Sequence, residues 1–204
     1  MIKALCPRAI TVGITLCVAL LVTFPGAART AQAQSASAQA EVMFREGRTL
    51  LAAGKIAEAC AAFESSQKLE PATSTLVNLA SCRERNGQLA TAWGLFLDAA
   101  RATRDAAGAQ AKKLYKVASD RARRLEPRVS KLTIHVPPGS RIAGLEILRA
   151  ADVVEPAMWN RAMPIDGGTY QIAARAPGAT IWTLSVTVGA EADARTVDVP
   201  RLGK

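Results

Sequence analysis

Residues 40–71 read A-E-V-M-F-R-E-G-R-T-L-L-A-A-G-K-I-A-E-A-C-A-A-F-E-S-S-Q-K-L-E-P. Met43, Gly47 and Leu50 recur at steps of four and three, the stripe of one helix face, and Gly54 supplies a stop. Ile56, Ala59, Phe63 and Ser66 form a facing stripe on a second helix, which Pro71 ends. Small residues at 47 and 59 let two antiparallel helices approach closely, while Leu50 and Phe63 fill the space beside them. The helices are expected over about residues 37–53 and 56–69.

The pattern returns 33 residues later: Gly54 maps to Gly87, Ala59 to Ala92, Phe63 to Phe96, and Gly47 to the still small Ala80. Leu50 maps to Arg83 and Pro71 to Arg104, so the second copy has a charged stripe position and no closing proline. Its second helix is therefore expected to run from 88 to about 106. A period of this length marks stacked helical hairpins. Gly47, Leu50, Ala59, Phe63 and Pro71 stand where a tetratricopeptide repeat places its G-x-x-Y, A-x-x-x-F and P residues, and residues 40–104 resemble that family.

The resemblance implies a surface that binds a protein or peptide partner, on the first helix of each copy. In this sequence the surface would comprise Phe44, Arg45 and Arg48 with Val77, Asn78 and Ser81. Asn78 falls where family members often carry an asparagine that hydrogen-bonds a ligand backbone. The lysine of the carboxylate-clamp version is replaced by Phe44, so capture of a chain-terminal carboxylate is not implied. Arg45 and Arg48 remain able to attract acidic groups.

A fifth helix is expected over 109–126, with Ala111, Tyr115, Ala118, Ala122 and Leu125 on one apolar face and Pro127 after it. Such a helix suits covering the open end of a repeat stack. Residues 101–131 carry ten basic and three acidic side chains, a net +7. A run of this kind attracts nucleic acid, an anionic surface or an acidic polymer, or else is a solvated helix face. Only Tyr115 interleaves an aromatic with the charges, and it belongs to the apolar stripe. The solvated face is the preferred reading, and nucleic acid is not expected as a partner.

From residue 130 the period changes to two. Leu132, Ile134 and Val136 alternate with Thr133 and His135, a half-buried strand. Further strands are expected over 145–148, 170–175, 181–188 and 196–199, with Asp166-Gly167-Gly168 as a hairpin turn. About six short strands make a small β-sandwich. The pieces Leu132–Val136, Met163-Pro164-Ile165, Gly168-Thr169-Tyr170 and Ala176-Pro177-Gly178 resemble the PEGA-type domains, small sandwiches appended to bacterial envelope proteins. Pro137-Pro138-Gly139-Ser140 stands in place of the signature Pro-Glu-Gly-Ala. The expected fold class is thus α+β as two domains, helical hairpin repeats over 40–127 followed by an all-β sandwich over 130–204.

Ahead of the helices, Lys3 and Arg8 precede an apolar run of 16 residues, 9–24. Pro25-Gly26 breaks it, and Ala31-Gln32-Ala33 has the form of a cleavage site. Residues 1–33 are read as a secretory signal, since the run is short for a membrane span. An uncleaved anchor is the alternative. Leu5 and Leu16 precede Cys6 and Cys17 where a lipoprotein signal needs a small residue. Residues 34–39 read as a mobile linker. Removing 1–33 takes three basic residues and no acid from a chain of 26 Lys+Arg and 17 Asp+Glu, leaving +6. A periplasmic or secreted protein is expected, with no integral membrane segment after cleavage.

Cys60 and Cys82 lie eleven residues on either side of Pro71, at matching heights on two helices. In an oxidising compartment a pair so placed can form a disulfide; two buried free thiols are the other reading. Two cysteines and a distant His135 cannot supply four metal ligands, and no cofactor is expected. His135 points away from Leu132 and Ile134 and is expected exposed. The chain lacks G-x-S-x-G, H-E-x-x-H, a P-loop and a dinucleotide fingerprint, so no enzyme is expected. Trp159 either plugs the sandwich or makes an exposed contact. The expected function is a scaffold of the periplasm or cell envelope that binds a partner through the helical groove. The rival is binding of cell-wall glycan or surface polymer by the sandwich.

Overall fold

The computed structural model describes residues 27–203; residues 1–26, which hold most of the expected signal, lie outside them. Five helices come first: α1 (Ala27–Ala52), α2 (Ile56–Leu69), α3 (Thr73–Arg85), α4 (Leu89–Thr103) and α5 (Ala109–Leu125). Seven strands follow: β1 (Lys131–His135), β2 (Glu146–Arg149), β3 (Asp152–Val153), β4 (Ala162–Pro164), β5 (Gly168–Arg175), β6 (Trp182–Val188) and β7 (Ala194–Asp198). The chain is α+β in two parts.

The first helix begins earlier than its apolar stripe. Residues 34–39, expected as a mobile linker, lie inside α1. Alanine and glutamine are strong helix formers and no glycine or proline interrupts them after Gly26, so polarity misleads here where intrinsic propensity decides. The helix ends as expected. Gly54 adopts φ +76°, its N–H bonds Leu51 O, and Lys55 N–H bonds Leu50 O. Thirty-three residues on, Gly87 repeats φ +76°, with Gly87 N–H on Glu84 O and Gln88 N–H on Arg83 O. Both are left-handed glycine caps closing the last helical carbonyls. The internal period is therefore visible in the backbone as well as in the side chains.

The close crossing of α1 and α2 requires Gly47, because a Cβ there would stand 2.9 Å from the Phe63 ring. Ala59, Cys60 and Phe63 are fully buried with Leu79 and Cys82, and Phe44, Leu50 and Ile56 pack on them. In the second copy Ala80, Ala92 and Phe96 are equally buried and are joined by Ala118, Ala122 and Leu125 of α5. Leu95 touches both clusters.

Helix α4 stops at Thr103 rather than near 106; the buried Thr103 hydroxyl bonds Ala99 O, and Gly108 at φ +97° opens α5. The N-terminal half of the α5 stripe is less covered than its C-terminal half. Tyr115 is 38% exposed, whereas Ala118, Ala122 and Leu125 are buried.

The strands form two sheets, β4-β1-β7 and β3-β2-β5-β6. Strands β1 and β7 pair in parallel, Ile134 opposite Val197, and the other pairs are antiparallel. Ile134 and Val197 of one sheet share a core with Ile147, Ile172 and Val188 of the other. Two strands, β3 and β4, were not expected. Asp166-Gly167-Gly168 is no hairpin turn, because β4 pairs with β1 while β5 pairs with β2 and β6. It is the crossing from one sheet to the other. Trp159 plugs this core, half-buried against it with Nε1 donating to Val154 O at 3.0 Å.

Candidate functional site

Helices α1 and α3 are the first members of the two hairpins, and both contribute residues to one hollow. Between them, closed by the end of α2, the hollow is open and measures about 260 Å³. Phe44 forms one wall, its ring set edge-on to Phe63 with centroids 5.6 Å apart. Glu41 and Glu70 supply carboxylates, and Ser37, Ser74 and Thr75 supply hydroxyls. The hollow therefore offers acceptors and negative charge around one aromatic wall.

Of the six residues expected to bind a partner, only Phe44 lines this hollow. Arg45 turns back along α1 to Glu41, Nε to Oε1 at 3.1 Å, on an exposed face. Arg48 is exposed on the same helix. Val77 packs toward the second core cluster. Asn78 donates through Nδ2 to Ser74 O, and the Ser81 hydroxyl donates to Val77 O, both at 2.8 Å within α3. The Asn78 amide thus keeps its oxygen and one N–H for an outside partner. Glu41, Glu70 and Thr75 were not singled out from the sequence. The 33-residue offset carries a signal for one of them, since Glu41 maps to Ser74, which also faces the hollow.

Cys60 and Cys82 are disulfide-bonded, with Cα atoms 5.5 Å apart and both side chains fully buried. The bond ties α2 to α3 and so fixes the angle between the hairpins. Arg83 reinforces the same junction. It takes the position of Leu50 in the repeat but reaches out to Glu64 of α2 and to Gln88 Oε1 at 2.8 Å. The Lys68 hydrogen bond, with Arg83 beside it, holds the Glu64 carboxyl below the usual carboxylate range.

The helical and β parts meet through polar contacts. Glu84 of α3 is gripped by Arg121 of α5, Nε to Oε2 at 3.1 Å, and by Arg128 at 3.8 Å. Arg128 also pairs with Glu191 of the β6–β7 loop at 2.6 Å. That pairing holds the Arg128 guanidinium above and the Glu191 carboxyl below their usual ranges. Arg121 also lies over the Phe96 ring, 5.4 Å from its centroid. Farther along, Asp166 of the β4–β5 crossing bonds the start of α4. These contacts fix the β part against the second hairpin.

His135 is exposed and paired with Asp198 across β1 and β7, Nδ1 to Oδ1 at 2.6 Å. The pair lies on the outer side of the sheet. Among the described residues no group of three or more His, Cys, Asp and Glu is placed to hold a metal ion. No helix among them is long and apolar enough to cross a membrane.

No protein-family model matches the chain, and no curated protein matches it.

Proposed function

We propose that this chain is an exported, non-catalytic scaffold of the tetratricopeptide kind, and that it holds a segment of a partner protein in the hollow between α1 and α3. The observation that carries this reading is the hollow itself, formed by the equivalent helices of two hairpins and walled by Phe44. Its hydroxyls and the two carboxylates, Glu41 and Glu70, suit a segment rich in N–H donors or positive charge. The disulfide between Cys60 and Cys82 suits an oxidising compartment, in keeping with the signal read at residues 1–33.

The test is photo-crosslinking in intact cells from the full chain, with the probe at Ser74 or Asn78. A discrete protein adduct that weakens in Glu41→Lys is the expected result; both probe positions are on the surface, so folding is retained. If neither position yields a protein adduct, and the full chain is instead retained on cell-wall glycan, the β-sandwich becomes the working surface and this reading fails.

A further inference from the structure

The basic segment 101–131 does not spread its charge evenly once folded. Arg121 and Arg128 are committed to Glu84 and Glu191. Lys116 and Arg123 share one carboxylate, Asp120, and Arg101 is paired with Asp98 one turn earlier. Arg104, Lys112, Lys113 and Arg124 have no acidic partner among the described residues. An excess of fixed positive charge therefore remains on the α4–α5 side of the molecule.

That side is grooved. A trough of about 300 Å³ runs between α4 and α5, alongside α4 from Trp93 to Arg104. Its floor is Trp93, Leu97 and Tyr115, and its rim carries Arg101, Arg104 and Arg123 against one acid, Glu126. The partners of Arg101 and Arg123, the exposed Asp98 and the half-buried Asp120, are neighbours on the same helix three residues away. Pairs of that kind contribute little and are readily exchanged.

We propose that this trough is a second docking site, for an acidic segment of a partner protein that carries aromatic or aliphatic anchors. Guanidinium groups grip carboxylates at two points, while Trp93 and Tyr115 offer flat apolar area for the anchor. Trp93 and Leu97 are half-buried in the trough and fit a side chain between flanking acids; a flat lipid surface would need such residues to project instead. The trough shares no lining residue with the α1–α3 hollow and has the opposite charge preference. The site does not depend on the first being correct.

The probe is a short fluorescein-labelled peptide that alternates Glu with Leu and Phe, titrated into the purified full chain at low salt. Binding should quench Trp93 emission and weaken as salt rises. Arg101→Glu with Arg104→Glu should weaken it by about tenfold or more, while Lys112→Glu with Lys113→Glu, the same change in net charge outside the trough, should cost about twofold or less. Trp93→Phe should abolish the emission change, and Glu41→Lys should leave binding intact. All replaced charges are exposed, and an unchanged far-ultraviolet spectrum verifies the fold. Equal losses in the two double variants would overturn the proposal, because the charge would then act as a diffuse surface. So would tight binding to phosphatidylglycerol vesicles with no binding of the peptide.

Discussion

The carboxylate of Asp166 accepts the backbone N–H of Ala90 at 2.7 Å, across the boundary between the β and helical parts. The same oxygen takes the Thr91 N–H at 3.0 Å, and the other oxygen takes the Thr91 hydroxyl at 2.5 Å. Helix α4 starts at Gln88 without a side-chain cap of its own. Its first free N–H groups are thus satisfied by a residue 76 positions later in the chain. The carboxylate also complements the positive end of the helix dipole. Tyr170 steadies the crossing by donating its hydroxyl to Asp166 O, and burial, with the Asp166 charge nearby, pushes the phenol up.

Asp166→Ala should therefore cost about 1 kcal/mol, the usual value of a lost cap. It should also speed amide exchange at Ala90 and Thr91 while leaving the β core protected. Hydrogen exchange on the full chain checks this. Unchanged exchange at both amides would show that the cap is not maintained in solution.

The disulfide gives a second expectation. Cys60 and Cys82 are 22 residues apart, and closing a loop of that size stabilises by about 3 kcal/mol on the chain-entropy model. Replacing both cysteines by serine, or reducing the protein, should lower the urea midpoint by a corresponding amount. Because the bond joins α2 to α3, the β-sheet signal should melt later than the helical signal once it is gone. Coincident transitions before reduction and separated ones after would demonstrate the link.

The sequence carried the helical hairpins well because their determinants are local. Gly54 and Gly87 as caps, Gly47 against Phe63, and the alternation at Leu132, Ile134 and Val136 can each be read within a few residues. It carried the equal heights of Cys60 and Cys82, since both are counted from one turn. The misreading of the β4–β5 link involves partners distant in the chain. Asp166-Gly167-Gly168 has hairpin chemistry, yet β4 and β5 find their mates in different sheets. Asn78 and Ser81 each spend one donor inside α3, a detail that the surface pattern does not carry. The trough between α4 and α5 is lined by residues drawn from Trp93 through to Glu126, so no local pattern announces it.

Acid should loosen the β6–β7 loop. Asp193 accepts the Gly189 N–H at 2.7 Å and the Arg195 Nε–H at 2.8 Å, and these hold its carboxyl below the usual carboxylate range. A carboxyl depressed in the folded state contributes stability that is complete above its unfolded pKa. That contribution is lost as pH falls through the folded value. Glu191, depressed by Arg128, acts in the same direction. The unfolding midpoint should fall on acidification below about pH 4, and Asp193→Asn should flatten part of that fall while leaving the neutral-pH midpoint lower. Parallel pH profiles for the two proteins would contradict the assignment.

The tightest steric constraint in the first hairpin lies between Gly47 and Phe63. A Cβ at 47 would sit 2.9 Å from two atoms of the Phe63 ring, inside van der Waals contact. The ring cannot retreat, since Phe63 is fully buried and its edge-on partner Phe44 occupies the adjoining space. Gly47→Ala should destabilise by about 1–3 kcal/mol, the range for overpacking, despite the better helix propensity of alanine. The corresponding residue of the second copy, Ala80, already carries a Cβ beside Phe96 and is fully buried, so the two crossings are not equally close. Pairing Gly47→Ala with Phe63→Leu should recover part of the loss, because the smaller side chain vacates the space that the new methyl needs. Denaturant titration of the single and double variants measures the coupling. Strictly additive losses would mean that the helices separate to admit the methyl and that the close crossing is not what fixes the hairpin.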